Sequence, residues 1–297
     1  MILSLNGIIA TNKGLSYIAP LDVYTNAIGA YSLRKLRSTY TGNCIRIRRS
    51  SDSTSLDIGF NSNGSLDTAS ILSFIGNGTA FVSIVYDQSG NGNNATQTTA
   101  SLQPLLAVGG VIYTLNNKPI IRTTTAGSTS TAYFNTPISN IQPRPISIVQ
   151  VGVVYQLASN GFGNVTCILG GNNSGGLAGS RYSISVNSTT FLTNRQNSDG
   201  SVISVSNGSY NNNAYIQQGH FASTTLTNRF NGTDASTSIS DTNQYSLSSN
   251  FTLMGGNVSN NAFFGNVGLF ENIFYLNDKT GDRTGIELNI NQYYNIY

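Results

Sequence analysis

The chain has 297 residues, 9% charged and 39% hydrophobic, with 16 Tyr, 13 Phe, no Trp and a formal net charge of +3. That much apolar surface offsets chain entropy and excludes a disordered polymer, and the small charge with no Lys/Arg-rich tail excludes a nucleic-acid binder built on a basic face. Two isolated cysteines, Cys44 and Cys167, exclude a thiolate metal site, and no run approaches 18 apolar residues, so no helix is expected to span a membrane.

From the start of the chain, Met1–Ala10 lacks a basic n-region and its apolar run is broken by Ser4, Asn6 and Gly7, so it does not read as a secretory leader. Residues 1–25 hold no long periodic element and are expected to form an N-terminal arm for attachment or oligomerisation, ahead of one domain over 26–297. The spacing of Ala27, Ile28, Tyr31 and Leu36 predicts a short helix with Arg34, Lys35 and Arg37 on its outer side. Cys44 to Arg48 alternates with period two, placing Ile45 and Ile47 on one face and Arg46 and Arg48 on the other. Asp67 is an N-cap candidate for a second helix through Ile71, Leu72 and Phe74, ending at Gly76 and Gly78. Ala80–Tyr86 reads as a strand entering the turn Asp87-Gln88-Ser89-Gly90-Asn91-Gly92-Asn93.

Beyond residue 100, short apolar runs alternate with Gly/Asn/Ser turns. Strands are expected near 119–122, 132–134, 145–154, 165–169, 181–186, 202–206, 215–221, 226–231, 251–255 and 263–276, with an Asn231-Gly232 hairpin turn. Ile286, Ile290, Tyr293 and Tyr297 follow Asp282 at helical spacing and predict a C-terminal helix. The fold class is therefore mostly β, an antiparallel β-sandwich or jelly roll with a few short helices.

Side chains able to carry chemistry are few. Asp87 opens a turn in which a carboxylate accepts backbone N–H groups. His220, the single histidine, lacks an acidic or Cys neighbour, and Glu271 stands in an apolar run. Arg46, Arg48 and Arg49 form a basic patch that Asp52 and Asp57 can neutralise. Cys44 and Cys167 both lie in apolar runs and read as buried free thiols.

Three stretches, Tyr31–Gly42, Arg46–Asp52 and above all Val85–Gly92, resemble the catalytic domain of the α-L-arabinofuranosidases of glycoside hydrolase family 54. The resemblance implies a concanavalin A-like sandwich and, in the enzymes, a retaining mechanism with a Glu nucleophile and an Asp acid/base. It places Ser183 at the nucleophile and Asn257, after Gly255-Gly256, at the acid/base. Between Asp87 and Asp199 the chain has no Asp or Glu at all, and the family's adjacent cysteine pair is absent.

An amide is no general acid, and a serine without a base is a poor glycosyl nucleophile. No catalytic residue is therefore assigned, and ligand contacts are placed on Tyr86, Asp87, Gln88, Asn91 and Asn257. Sequences with this front half are common among tailed-bacteriophage virion proteins. The resemblance thus implies an inactive, lectin-like virion structural protein (head fibre, decoration or tail-associated subunit), made in the host cytoplasm and displayed on the virion surface. Its partners would be other virion proteins through the N-terminal arm, further copies of itself, with a trimer favoured, and surface glycans, with no nucleic acid or membrane. No cofactor is expected, and calcium finds no EF-hand-like spacing. The alternative is an arabinofuranosidase-like hydrolase acting on polysaccharide, which requires two carboxylates facing each other among Asp87, Asp199, Asp234, Asp241 and Glu271.

Overall fold

The computed structural model describes residues 3–5, 8–11, 14–123, 132–139, 145–157, 166–171, 182–187, 189–196, 201–240, 250–255 and 265–297. Six antiparallel strands form a first sheet in the order Thr233–Ser238, Thr225–Phe230, Tyr215–Phe221, Ile146–Gln156, Asn266–Tyr275 and Ala27–Ser32. A second sheet runs from Val202–Ser209 through Thr190–Gln196, Tyr182–Val186, Thr166–Gly171, Phe251–Leu253, Phe134–Asn135, Ala95–Thr96, Ala80–Val85 and Ile45–Arg49 to Ser55–Ile58. Leu105–Val108 and Ile121–Arg122 stitch the two together, because Ile121 pairs with Leu269 of the first sheet and Leu105 with Phe81 of the second. The chain is an antiparallel β-sandwich.

Its apolar side chains fall into two layers. Ile148, Phe221 and Phe274 of the first sheet meet Ile45, Ile47, Val82, Ile184 and Phe251 of the second between the sheets. The outer face of the first sheet, with Val149, Val151, Ile216 and Ile273, is covered by the short helix α1 (Pro20–Val23) and by the C-terminal helix. Ile146–Gln156 is buried on both faces over its first nine residues, which is why it reads as an almost unbroken apolar run.

Helix α2 (Thr68–Ile75) starts where the sequence signals it: the Asp67 side chain accepts from Ser70 N at 3.1 Å, and the chain turns off at Gly76 with φ +54°. Helix α3 (Arg283–Tyr294) buries Ile286, Ile290 and Tyr294, one above another at four-residue spacing. In the Thr225–Phe230/Thr233–Ser238 hairpin, Asn231 (φ +42°) and Gly232 (φ +87°) supply the two left-handed positions of a two-residue turn.

Two expectations need correction. Ala27–Ser32 is a strand, not a helix, paired from Tyr275 to Glu271. Long-range pairing outweighs the local 3.6-residue pattern, and Gly29 is a weak helix former packed so closely that a Cβ there would fall 2.5 Å from Ile138 Cδ1. Consequently Arg34 is not on an outer face. It is 1% exposed. In the N-terminal segment, Leu3–Leu5, Ile8–Thr11 and Gly14–Tyr17 pair as a small antiparallel sheet outside the sandwich ladders.

Candidate functional site

The polar turn after Ala80–Val85 is directed inward. Asp87 is buried; its Oδ1 accepts from Ala30 N (2.8 Å) and Ser89 N (2.9 Å), and its Oδ2 accepts from Ser89 Oγ (2.7 Å) and Asn93 N (3.0 Å). Gln88, also buried, accepts from Leu36 N through Oε1 and donates through Nε2 to the carbonyls of Ser32 and Arg34. Asn91 Nδ2 donates to Ala27 O at 3.0 Å. Of the residues offered as ligand contacts, Asp87, Gln88 and Asn91 thus fasten the turn to the strand Ala27–Ser32. Tyr86 points elsewhere, its hydroxyl donating to Asp57 Oδ1 at 2.8 Å, and Asn257 lies outside the described residues.

The basic patch is paired or packed. Arg46 forms two 2.7 Å bonds to the Asp57 carboxylate, and Arg49 pairs with Asp52 and donates to Phe74 O. These arginines hold both carboxyls below the ordinary range. Arg48 donates to Gln103 Oε1 and lies over the Phe81 ring. The Cys44 thiol is buried against Ser32 O, and burial pushes its pKa up. The side chain of Cys167 lies outside the described residues.

A glycosidase needs two carboxyl groups flanking one bond, so the carboxylates decide what this fold can catalyse. Ten of the chain's 12 fall among the described residues, and each is engaged by its own protein. Glu271 is clamped by Arg34, Asp234 by Arg229 and Arg283, Glu287 by Arg229 and Gly232 N, and Asp282 by Lys279. Asp22, Asp67, Asp87 and Asp278 accept from nearby main-chain or hydroxyl groups, and Asp52 and Asp57 hold the arginines above. Asp199 and Asp241, the remaining two, lie outside the described residues.

Ser183 sits on Tyr182–Val186 in a ladder of hydroxyls and amides. Asn194 Nδ2 donates to Ser183 Oγ (3.2 Å) and Ser185 Oγ (2.7 Å), while Ser204 Oγ donates to Asn194 Oδ1 (2.7 Å). Ser183 and Ser185 are buried and Ser204 is exposed, so the ladder runs outward across three strands. The only sequence trace of it is the Ser-x-Ser spacing; Asn194 and Ser204 carry no local signal. Among the described residues no base contacts Ser183.

His220 is buried beside Ser147, its Nδ1 2.9 Å from Ser147 Oγ. Burial is the main cause that pushes its pKa down to about 4, with Asp278 and Asp234 opposing and Arg283 and Arg229 assisting. The native imidazole stays neutral while the unfolded one takes up a proton near pH 6.5, so above that pH the group is neutral in both states. Between pH 6.5 and 4 it is expected to cost stability at about 1.4 kcal/mol per pH unit of acidification. Urea midpoints at pH 7.5 and 5.0 check this: the drop should be smaller in His220→Asn, and equal drops would refute it.

Residues 20–114 match the family model described as the catalytic domain of α-L-arabinofuranosidase B. The "Probable alpha-L-arabinofuranosidase B" of Aspergillus flavus is 39% identical over 97 residues, and the "Alpha-L-arabinofuranosidase B" of Aspergillus oryzae is 40% identical over 97. Each match takes in 31% of this chain and 19% of the relative, so the chain spans about a fifth of the length of these curated relatives. Among solved structures, a GH54 α-L-arabinofuranosidase variant soaked with 4-nitrophenyl α-L-arabinofuranoside aligns over 92% of this chain and 65% of its own, at TM-score 0.67 and 17% identity. An arabinofuranosidase complexed with arabinofuranosyl-α-1,2-xylobiose aligns over 92% and 64%, at TM-score 0.61 and 18% identity. These likenesses show the fold. They also overturn the expectation of a bacteriophage virion structural protein displayed on a virion surface, because the matched family and these relatives are arabinofuranosidases.

Proposed function

We propose that this chain is an arabinofuranosidase-like glycoside hydrolase acting on α-L-arabinofuranosyl groups of polysaccharide. The observation that carries the reading is the match of residues 20–114 to the arabinofuranosidase B catalytic model, set in a sandwich of that enzyme fold. Retaining chemistry requires one carboxylate as nucleophile and one carboxylic acid as acid/base, roughly 5 Å apart. Ten carboxylates are engaged in ion pairs, caps and turns, which directs this reading to Asp199 and Asp241, one to attack the anomeric carbon and the other to protonate the leaving oxygen. Ser204, the exposed end of the Ser183–Asn194–Ser204 ladder, would meet a sugar hydroxyl.

The test is hydrolysis of 4-nitrophenyl α-L-arabinofuranoside. Asp199→Asn and Asp241→Asn are each expected to lower kcat/KM by about 100-fold or more, with unchanged unfolding midpoints. No turnover by the natural chain, or full turnover in both variants, would overturn the reading. The engaged carboxylates and the ladder favour a second reading, arabinofuranosyl binding without cleavage. Saturable binding of the glycoside with no release of 4-nitrophenol would single it out.

A further inference from the structure

Two depressions of about 400 and 450 Å³ meet at Tyr293 and Asn63, on a part of the surface that takes no residue from the Ser183 ladder. Together they are within the size range of small-molecule sites. Tyr293 of α3 is half-buried, with Lys118 Nζ 4.0 Å and Arg34 Cζ 4.8 Å from its ring centroid. The charge of Arg34 is met by Glu271. Lys118 and Lys35 have no carboxylate partner among the described residues, and burial together with the nearby Arg34 lowers the pKa of Lys118. Asp22 lies at the far end with its carboxylate accepting from Ser38 N.

The walls are built before any ligand arrives. Asn116 Nδ2 donates to the carbonyls of Tyr294 and Asn295, tying the hairpin that carries Asn117 and Lys118 to the end of α3. On the other side Lys35 N donates to Gly64 O at 2.7 Å, and the exposed Asn63 is held through its Oδ1, which accepts from Ser65 N and Oγ. An aromatic edge, exposed amides and cations without counter-charges suit a polyhydroxylated ligand bearing an acid group.

We propose that this groove binds an anionic sugar residue of an oligosaccharide, its acid group held by Lys118 beside Tyr293, with Lys35 adding positive field and Asn63 and Asn117 meeting its hydroxyls. The site is separate from the hydrolase reading, since binding is read without turnover. Calorimetric titration with trigalacturonate, a heparin disaccharide and neutral arabinotriose tests it. Saturable binding of at least one acidic sugar, weakened by salt, is expected, and the preferred one identifies carboxylate or sulfate as the acid. Lys118→Met should weaken binding by about tenfold or more, the worth of one charge-assisted hydrogen bond. Asn63→Asp, an exposed loop substitution that cannot disturb the core, should weaken it as well by reversing the local charge. Absence of binding by either acidic sugar, equal affinity for arabinotriose, or unchanged affinity in both variants would overturn the proposal.

Discussion

Arg34→Met is expected to remove about 3–5 kcal/mol of folding stability, the usual cost of stranding one member of a buried ion pair. Arg34 and Glu271 are 1% and 0% exposed, and they meet as a fork: Nε to Oε2 at 2.6 Å and Nη2 to Oε1 at 2.8 Å. The pair ties three elements. Arg34 follows the strand Ala27–Ser32, Glu271 lies in Asn266–Tyr275, and α3 contributes Tyr294 OH to Glu271 Oε2 (3.2 Å) and Asn289 Oδ1 to Arg34 Nη1 (3.3 Å). Glu271 reaches this outer layer by alternation with Ile273, opposite Val151 and Val149, and the register slip between Val151 and Gly152 turns Leu269, two residues earlier, to the inner core. Arg34→Lys keeps the charge but loses the planar fork, so an intermediate loss is expected. The double replacement Arg34→Met/Glu271→Leu should recover much of the loss, because no charge is then left stranded. Urea unfolding of the natural chain, Arg34→Met, Glu271→Leu and the double variant completes the cycle, and a loss below about 1 kcal/mol in Arg34→Met would show that water reaches the carboxylate.

That pair marks where sequence reading stops. Strand Ile45–Arg49 and helix α2 were legible because each announces itself within a few residues, by alternation in one case and by a cap and a terminal glycine in the other. Thr190–Gln196 was not, and Thr233–Ser238 was announced only by the Asn231-Gly232 turn before it. The first buries Thr193, Asn194 and Arg195, and the second is an edge strand with mostly exposed side chains, so neither shows apolar alternation. Arg34 and Glu271 are 237 residues apart, and no local pattern predicts that an arginine in a basic run will be buried. The candidate groove is assembled from α3, the Thr114–Pro119 hairpin and the loops around Lys35 and Asn63, none distinctive alone. The deficit of carboxylates was readable from the sequence, but its meaning depended on which carboxylates the fold consumes. The family match covers the frame-building residues up to 114 and stops short of Ser183.

Asp87→Ala should cost about 3–5 kcal/mol, because it leaves buried donors without an acceptor. Four donors converge on this carboxylate, three of them main-chain N–H groups: Ala30 on the strand Ala27–Ser32, and Ser89 and Asn93 in the turn. The turn cannot easily relax around the loss. Gly90 (φ +94°) and Gly92 (φ +75°) hold left-handed backbone, and Gln88 N is already bonded to Ala30 O at 2.8 Å. Asp87→Asn separates charge from shape. Its remaining oxygen can serve Ala30 and Ser89, but its NH2 would face the N–H of Asn93, so a loss of about 2 kcal/mol is expected. Denaturant midpoints measure both losses, and faster hydrogen exchange at the Ala30 amide in Asp87→Ala would locate the damage where the turn meets the strand. A loss below about 1 kcal/mol in Asp87→Ala would mean that Gln88 and Asn91 hold the turn unaided. In that case Gln88→Ala, which strands Leu36 N and frees the Ser32 and Arg34 carbonyls, becomes the more damaging change.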